Sequence, residues 1–148
     1  MEAKAIIFTY PYVKTPRLLI MLPEKYIIYV DDDFDDKELL SEAFEKVPEY
    51  ELITLDDGLE LLQYLEKTER LPNLIILDIN MPALNGRDTM RILRSEEKFK
   101  EIPLVMFSTT KNPIEIARFR ASKIDLINKP VSYSSVSGIV QQLISYAR

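Results

Sequence analysis

From Lys25 onward the sequence alternates between short apolar runs and amphipathic segments. The apolar runs have no helical period, and several are apolar throughout, which is typical of strands covered on both faces. They predict strands over residues 26–30, 51–55, 74–77, 104–107 and 126–127. The amphipathic segments repeat apolar residues at helical spacing. They predict helices over residues 36–47, 59–68, 88–95, 112–122 and 132–147.

Strict alternation of five strands with five helices predicts a parallel sheet with right-handed crossovers and a layer of helices on each face. Pro48 is a stop signal for the first helix, and the Asn112-Pro113 pair is a start signal for the fourth. Residues 1–23 lie outside this alternation. We interpret them as an N-terminal extension, either an extra strand or arm or a flexible tail, and residues 24–148 as one domain.

Composition narrows the possible functions. Apolar residues make up 47% of the 148 positions and charged residues 29%, as in an ordinary globular protein. A net charge of −5 argues against a nucleic-acid-binding surface. The chain has no cysteine and no histidine, which excludes thiolate and imidazole chemistry. No apolar run approaches the ~20 residues that span a bilayer, so we expect a cytoplasmic protein that does not contact membranes.

Polar residues directly follow four of the five predicted strands. In an open parallel sheet, ligands bind beyond the carboxyl ends of the strands, where the strand order reverses. We therefore expect three carboxylates, a hydroxyl and a lysine to share one crevice. The residues are Asp31 and Asp32 after the first strand, Asp78 after the third, Ser108 after the fourth and Lys129 after the fifth.

Three carboxylates in one crevice would retain a proton unless a cation neutralised them. Oxygen ligands without histidine or cysteine select a hard ion, Mg²⁺ or Ca²⁺, and Mg²⁺ is favoured because it commonly shares its shell with a phosphoryl group. A lysine and a hydroxyl beside such an ion are suited to binding phosphoryl oxygens. The carboxylate nearest the metal could then act as a nucleophile and form an acyl phosphate.

Each of these residues also has a plainer interpretation. In the segment YVDDDFDD, we expect Asp33, Asp35 and Asp36 to do no more than start the first helix, where the positive end of the helix dipole favours negative charge. A lone serine or lysine after a strand is usually a loop residue. Asp78 differs, because a charge at the end of a wholly apolar strand carries a burial cost. The combination, rather than any one residue, indicates function.

Residues 25–148 resemble a CheY-like response-regulator receiver domain. The matching segments are IIYVDDD, LIILDINMPALNG, LVMFSTT and LINKP, in the family's order and spacing. The resemblance implies the flavodoxin-like, doubly wound α/β fold: a five-stranded parallel sheet in the order 2-1-3-4-5 with five helices. It also implies a stand-alone response regulator of two-component signalling, acting on a downstream protein that the sequence does not name.

The resemblance assigns the acidic residues to a phosphoacceptor site. Asp78 is expected to accept a phosphoryl group from a sensor histidine kinase or a histidine phosphotransfer protein. Mg²⁺ is expected to bind Asp31, Asp32, Asp78 and the backbone carbonyl of Asn80, with Asp32 as the direct ligand of the acid pair and Asp31 acting mostly through water. The Asn80 side chain is expected to influence access of the hydrolytic water.

The resemblance also assigns roles to the ends of the fourth and fifth strands. Ser108 and Lys129 are expected to bind the phosphoryl oxygens, and the Lys129–Pro130 peptide bond is expected to be cis. The chain departs from the family at Leu126, where an aromatic residue usually swings inward as the hydroxyl moves. That departure puts the usual signalling through the fourth helix, fifth strand and fifth helix in doubt.

Two other functions remain open at the level of sequence. One is a pseudo-receiver that serves only as a binding module. The other is a Mg²⁺-dependent phosphohydrolase of the haloacid-dehalogenase kind, whose D-x-D motif would need a second acid where this chain has Asn80. We expect no enzyme activity beyond self-phosphotransfer and autodephosphorylation.

Overall fold

The computed structural model describes residues 23–148, apart from the side chain of Tyr133. Five strands form one sheet: Lys25–Val30 (β1), Tyr50–Leu55 (β2), Leu74–Leu77 (β3), Leu104–Ser108 (β4) and Asp125–Asn128 (β5). Five helices connect and follow them: Phe34–Phe44 (α1), Gly58–Lys67 (α2), Gly86–Ser95 (α3), Pro113–Ala121 (α4) and Val136–Ile144 (α5). All strand pairs are parallel, in the order β2-β1-β3-β4-β5, which confirms the predicted fold.

The predicted elements all form, but some of their ends differ. The first helix begins at Phe34 because the side chain of Asp33 caps it, and it ends at Phe44, where turns lead toward Pro48. The last helix begins only at Val136, after a short 3₁₀ turn. The predicted N-terminal extension lies outside the described residues, except for Pro23.

Apolar side chains cover both faces of the sheet. Helices α1 and α5 pack on one face through residues such as Leu40 and Val140. Helices α2, α3 and α4 supply the other face, with Leu61, Leu93 and Phe119 in its core. The central strand β3 is buried along its whole length, as its unbroken apolar sequence predicted.

The point at which the strand order reverses lies between β1 and β3. The chain leaves β1 for β2 on one side and then returns to form β3 on the other. Val30 pairs with Leu77, and the Asp78 N–H donates to the Val30 carbonyl at 3.0 Å. The residues that directly follow the two strands, Asp31 and Asp78, are therefore neighbours at the carboxyl edge of the sheet.

Gly86 lets the start of α3 approach the backbone of Asp78 closely. Its N–H donates to the Ile79 carbonyl at 2.8 Å. A Cβ added at Gly86 would lie 2.1 Å from the Asp78 carbonyl oxygen and 2.9 Å from the Ile79 Cα. Because backbone atoms cannot move aside as a side chain can, an alanine here must displace either α3 or the segment that carries Asp78.

We expect Gly86→Ala to lower the free energy of unfolding by about 3 kcal/mol or more, as for a severe overpacking change. Gly138→Ala is the matched control, since nothing lies within 4 Å of a Cβ added at that helical position. It should raise the free energy of unfolding by roughly 0.5–1 kcal/mol. Urea denaturation of both variants measures this, and equal effects would contradict the close approach at Gly86.

Candidate functional site

Three carboxylates meet at the carboxyl edge of the sheet. Asp31 directly follows β1 and is fully buried, Asp78 directly follows β3 and is 7% exposed, and Asp32 is exposed. One carboxylate oxygen from each lies within 4.8 Å of those of the other two. The structure therefore brings together the three acids that the sequence predicted to share a crevice.

Lys129 directly follows β5 and reaches into this acidic group. Its Nζ lies 2.6 Å from Asp31 Oδ2 and 2.8 Å from Asp36 Oδ2. A longer contact of 3.4 Å joins it to Asp78 Oδ1. The Lys129 N–H donates to the Ser108 carbonyl at 3.0 Å, which continues the pairing of β4 with β5 and fixes where the side chain starts.

The electrostatics of the site oppose a negative charge on Asp78. Desolvation raises the pKa of the Asp78 carboxyl, the charge of Asp31 raises it further, and Lys129 lowers it, giving a pKa of about 6 against an ordinary value of 3.8. For Lys129, burial alone would lower the pKa of the ammonium. Hydrogen bonds to Asp31 and Asp36 and the nearby negative charges instead hold that pKa above its usual range.

Asp31 accepts hydrogen bonds on both of its carboxylate oxygens. The Asp33 N–H donates to Oδ1 at 2.9 Å, while the Tyr29 hydroxyl and the Lys129 ammonium both donate to Oδ2. Burial, followed by the charge of Asp31, raises the pKa of the Tyr29 hydroxyl, so this group remains a donor. The Asp32 carboxylate, by contrast, is exposed.

Ser108 lies at the end of β4, one strand away from Asp78. Its side chain is buried, and its Oγ accepts a hydrogen bond from the Thr110 N–H at 3.2 Å. The Thr110 hydroxyl in turn donates to Glu115 at 2.8 Å. Asn80 is exposed, two residues beyond Asp78 in the loop that leads to α3. Both predicted residues therefore lie at the same edge of the sheet as the acids.

Two expectations from the sequence are wrong. Asp36 does more than start α1: it lies in the first helical turn on the side facing Lys129, and the two side chains form an ion pair. The Lys129–Pro130 bond is not cis, since no peptide bond within residues 23–148 is cis. The trans form is the lower in free energy by about 0.5–1 kcal/mol for a bond to proline, and Lys129 reaches the acids from it.

The sequence patterns did not predict that Tyr29 contacts the site. Side chains in a strand alternate between faces, so residues 29 and 31 share a face, and this signal could have identified Tyr29 as a neighbour of Asp31. Asp36 carries no comparable signal, because acidic residues are common in the first turn of a helix for dipole reasons alone.

The acidic group fits a divalent cation. Its ligand atoms are carboxylate oxygens, which hard cations prefer, and the single charge of Lys129 offsets only part of their negative charge.

Among the described residues, none of the helices combines the length and the apolar character that crossing a membrane requires.

Comparison with known proteins identifies the fold with a signalling family. Residues 27–141 match the model of the response regulator receiver domain. The chain is 31% identical over 123 residues to the two-component response regulator ORR3 of Oryza sativa subsp. indica, covering 82% of this chain and 92% of that protein. It is 32% identical over 100 residues to the response regulator Rcp1 of Synechocystis sp., covering 64% of this chain and 68% of that protein.

Solved structures agree with this assignment. The crystal structure of the phosphorylated cyanobacterial phytochrome response regulator RcpA matches with a TM-score of 0.73 and 32% identity, over 84% of this chain and 96% of that one. The Mn²⁺-bound form of Rcp1 matches with a TM-score of 0.73 and 27% identity, over 82% of this chain and 93% of that one. The family match includes every strand end that carries a residue of the acidic site. The chain therefore belongs to the response regulator receiver domain family of two-component signalling.

Proposed function

We propose that Asp78 accepts a phosphoryl group from a sensor histidine kinase or a histidine phosphotransfer protein, with Mg²⁺, and that the phosphorylated protein signals through protein–protein contacts. The observation that carries this proposal is the position of Asp78 at the end of β3. There it lies within 4.8 Å of two further carboxylates and 3.4 Å from the Lys129 ammonium.

In the proposed reaction an oxygen of the Asp78 carboxylate attacks the phosphorus atom of the donor. An O–P bond forms, the N–P bond to the donor imidazole breaks, and the imidazole leaves with the electron pair of that bond. With a pKa of about 6, most Asp78 carboxyls are ionised at neutral pH and available as nucleophiles. Burial also removes part of the hydration shell that would otherwise stabilise this carboxylate.

Mg²⁺ would be held by the carboxylates of Asp31, Asp32 and Asp78 and by the backbone carbonyl of Asn80. When bound, it supplies positive charge that offsets both the repulsion among the carboxylates and the charge of the phosphoryl oxygens. Asp32 is suited to direct ligation because its carboxylate is exposed. Both oxygens of Asp31 already accept hydrogen bonds from the protein, which favours contact with the ion through water.

Ser108 and Lys129 would bind the oxygens of the transferred group. Lys129 is already directed at Asp78 and keeps its positive charge at neutral pH. The Ser108 hydroxyl would exchange its contact with the Thr110 N–H for one with the phosphoryl group. Both interactions place positive charge or a donor where the negative phosphoryl oxygens accumulate.

We further propose that the protein is cytoplasmic, does not bind nucleic acid or membranes, and catalyses only its own phosphorylation and dephosphorylation. A phosphohydrolase of the dehalogenase kind would need an acid at position 80 to protonate the leaving group, and the chain has asparagine there. The complete set of acceptor residues argues against a pseudo-receiver that only binds partners. Leu126 is half-buried against the core, and in the proposed mechanism signalling does not depend on an aromatic side chain at that position.

The direct test is incubation with Mg²⁺ and acetyl phosphate, followed by intact-mass spectrometry. We expect one labile phosphoryl adduct, absent in Asp78→Asn because the nucleophile is lost. Asp32→Ala and Lys129→Ala should slow its formation by roughly tenfold to a hundredfold, as expected when groups that hold a metal or its partners are removed.

Asp35→Ala is the matched control, since Asp35 belongs to the same acidic segment but is exposed and is not one of the carboxylates that contact Lys129. It should form the adduct at the wild-type rate. An adduct that persists in Asp78→Asn would mean that another residue is the acceptor.

The raised pKa of Asp78 predicts a pH-dependent stability. Between the unfolded value of 3.8 and the folded value of about 6, the unfolded state ionises while the folded state keeps its proton. The folded protein therefore loses stability as pH rises through this window. In Mg²⁺-free buffer, Asp78→Asn should be more stable than the wild type by about 3 kcal/mol near neutral pH, with the difference vanishing below about pH 4. Urea titrations across this range measure it, and a wild type that is the more stable protein at neutral pH would contradict the assignment.

A further inference from the structure

Tyr29 contributes a hydroxyl to the acidic site from within the sheet. Its side chain is fully buried in β1, and it lies on the same side of the sheet as Asp31, which directly follows the strand and is two positions further along the chain. The Tyr29 hydroxyl donates a hydrogen bond to Asp31 Oδ2. The hydroxyl is thus a buried donor to Asp31.

The ring of Tyr29 is held rigidly. It packs edge-on against the ring of Phe107 in β4, with centroids 5.7 Å apart and an interplanar angle of 71°. Ile27, Leu40 and Val136 belong to the same buried cluster. A ring confined in this way leaves its hydroxyl with a single direction, toward the Asp31 carboxylate.

The three donors to Asp31 differ in stiffness. The Asp33 N–H is part of the backbone that caps α1, and the Tyr29 hydroxyl is on a buried ring, so both are fixed. The Lys129 ammonium is at the end of a flexible chain and is shared with Asp36 and Asp78. The two fixed donors hold one oxygen each, and together they set the plane of the carboxylate.

Packing alone does not explain a tyrosine at this position. A phenylalanine would fill the same space and make the same ring contact with Phe107, without a hydroxyl to bury. A buried hydroxyl carries a desolvation penalty that its hydrogen bond must offset. What tyrosine adds over phenylalanine is therefore the one hydrogen bond to Asp31.

We propose that Tyr29 is a positioning residue that orients the Asp31 carboxylate for the divalent cation. The inference rests on the proposed function, since it assumes that the acidic site binds a cation. Tyr29 itself contacts neither the cation nor the phosphoryl group. Its effect is therefore on the affinity for the cation and not on the chemical step that follows binding.

The test compares Tyr29→Phe with the wild type, using Mn²⁺ as the probe and the electron paramagnetic resonance signal of free Mn²⁺ as the readout. We expect Tyr29→Phe to bind Mn²⁺ about tenfold more weakly, the low end of the range for partners of metal ligands. The Mg²⁺ concentration that gives half-maximal phosphorylation by acetyl phosphate should rise by a similar factor. The rate at saturating Mg²⁺ should stay within about twofold of wild type, because the affinity for the ion is lost equally in the ground state and the transition state.

Tyr26→Phe is the matched control. Tyr26 lies on the same strand and is also buried, but its hydroxyl donates to the Arg70 carbonyl, away from the acidic site. It should bind Mn²⁺ as the wild type does. Equal weakening in Tyr26→Phe and Tyr29→Phe would overturn the proposal, since the loss would then come from a weaker strand.

Two further measurements separate the possible failures. If Tyr29→Phe binds Mn²⁺ as tightly as the wild type while Asp32→Ala does not bind, the positioning role is wrong and the proposed function stands. If the wild type binds no Mn²⁺ and forms no adduct, the proposed function fails and the inference fails with it. In an Asp31→Ala background, Tyr29→Phe should have no further effect. A full tenfold loss in that background would show that the hydroxyl acts through another group.

Discussion

The Lys129 ammonium contacts three carboxylates at the carboxyl edge of the sheet, and the arrangement of the candidate site depends on these contacts. Asp31, Asp36 and Asp78 come from the end of β1, the first turn of α1 and the end of β3, and each lies within 3.4 Å of the same nitrogen. One positive charge cannot neutralise three negative ones. The pKa of Asp78 is raised first by burial and then by the charge of Asp31, and Lys129 offsets these effects only in part.

This imbalance suits the site to a divalent cation and, under the proposed function, to a phosphoryl group. A bound ion would offset the repulsion among the carboxylates, and the ion and Lys129 would share the negative charge of the phosphoryl oxygens. The sheet sets the positions at which this occurs. Asp31 and Asp78 follow two adjacent strands at the point where the order reverses, and Gly86 allows the helix after β3 to start against the Asp78 backbone. These backbone contacts set the position from which the Asp78 side chain starts.

The sequence predicted the parts of the site that depend on strand ends. The short length of the apolar run 74–77 and its place between amphipathic segments predicted a buried strand, so Asp78 and Lys129 could be assigned to one edge from the order of the elements. The contacts that depend on where a helix begins could not be assigned in this way. Asp36 contacts Lys129 from the first turn of α1, which Asp33 caps and which begins two residues before the predicted start. Tyr29 was hidden for a different reason: its aromatic ring is typical of a core strand, and only its hydroxyl takes part in the site.

Because Leu126 is not aromatic, an effect of phosphorylation on the rest of the protein would need another route, and the hydrogen bonds of Ser108 supply one. The Ser108 Oγ accepts from the Thr110 N–H, the Thr110 hydroxyl donates to Glu115 in α4, and Glu115 forms an ion pair of 2.9 Å with Arg87 in α3. Under the proposed function, a Ser108 hydroxyl that turns to the phosphoryl group gives up the first of these bonds. The loop after β4 then loses the hydrogen bond between Thr110 and Ser108. Glu115 keeps its contacts with Thr110 and with Arg87 in α3. A change at Asp78 can therefore reach α4 through the backbone of this loop, without any movement of the side chain at position 126.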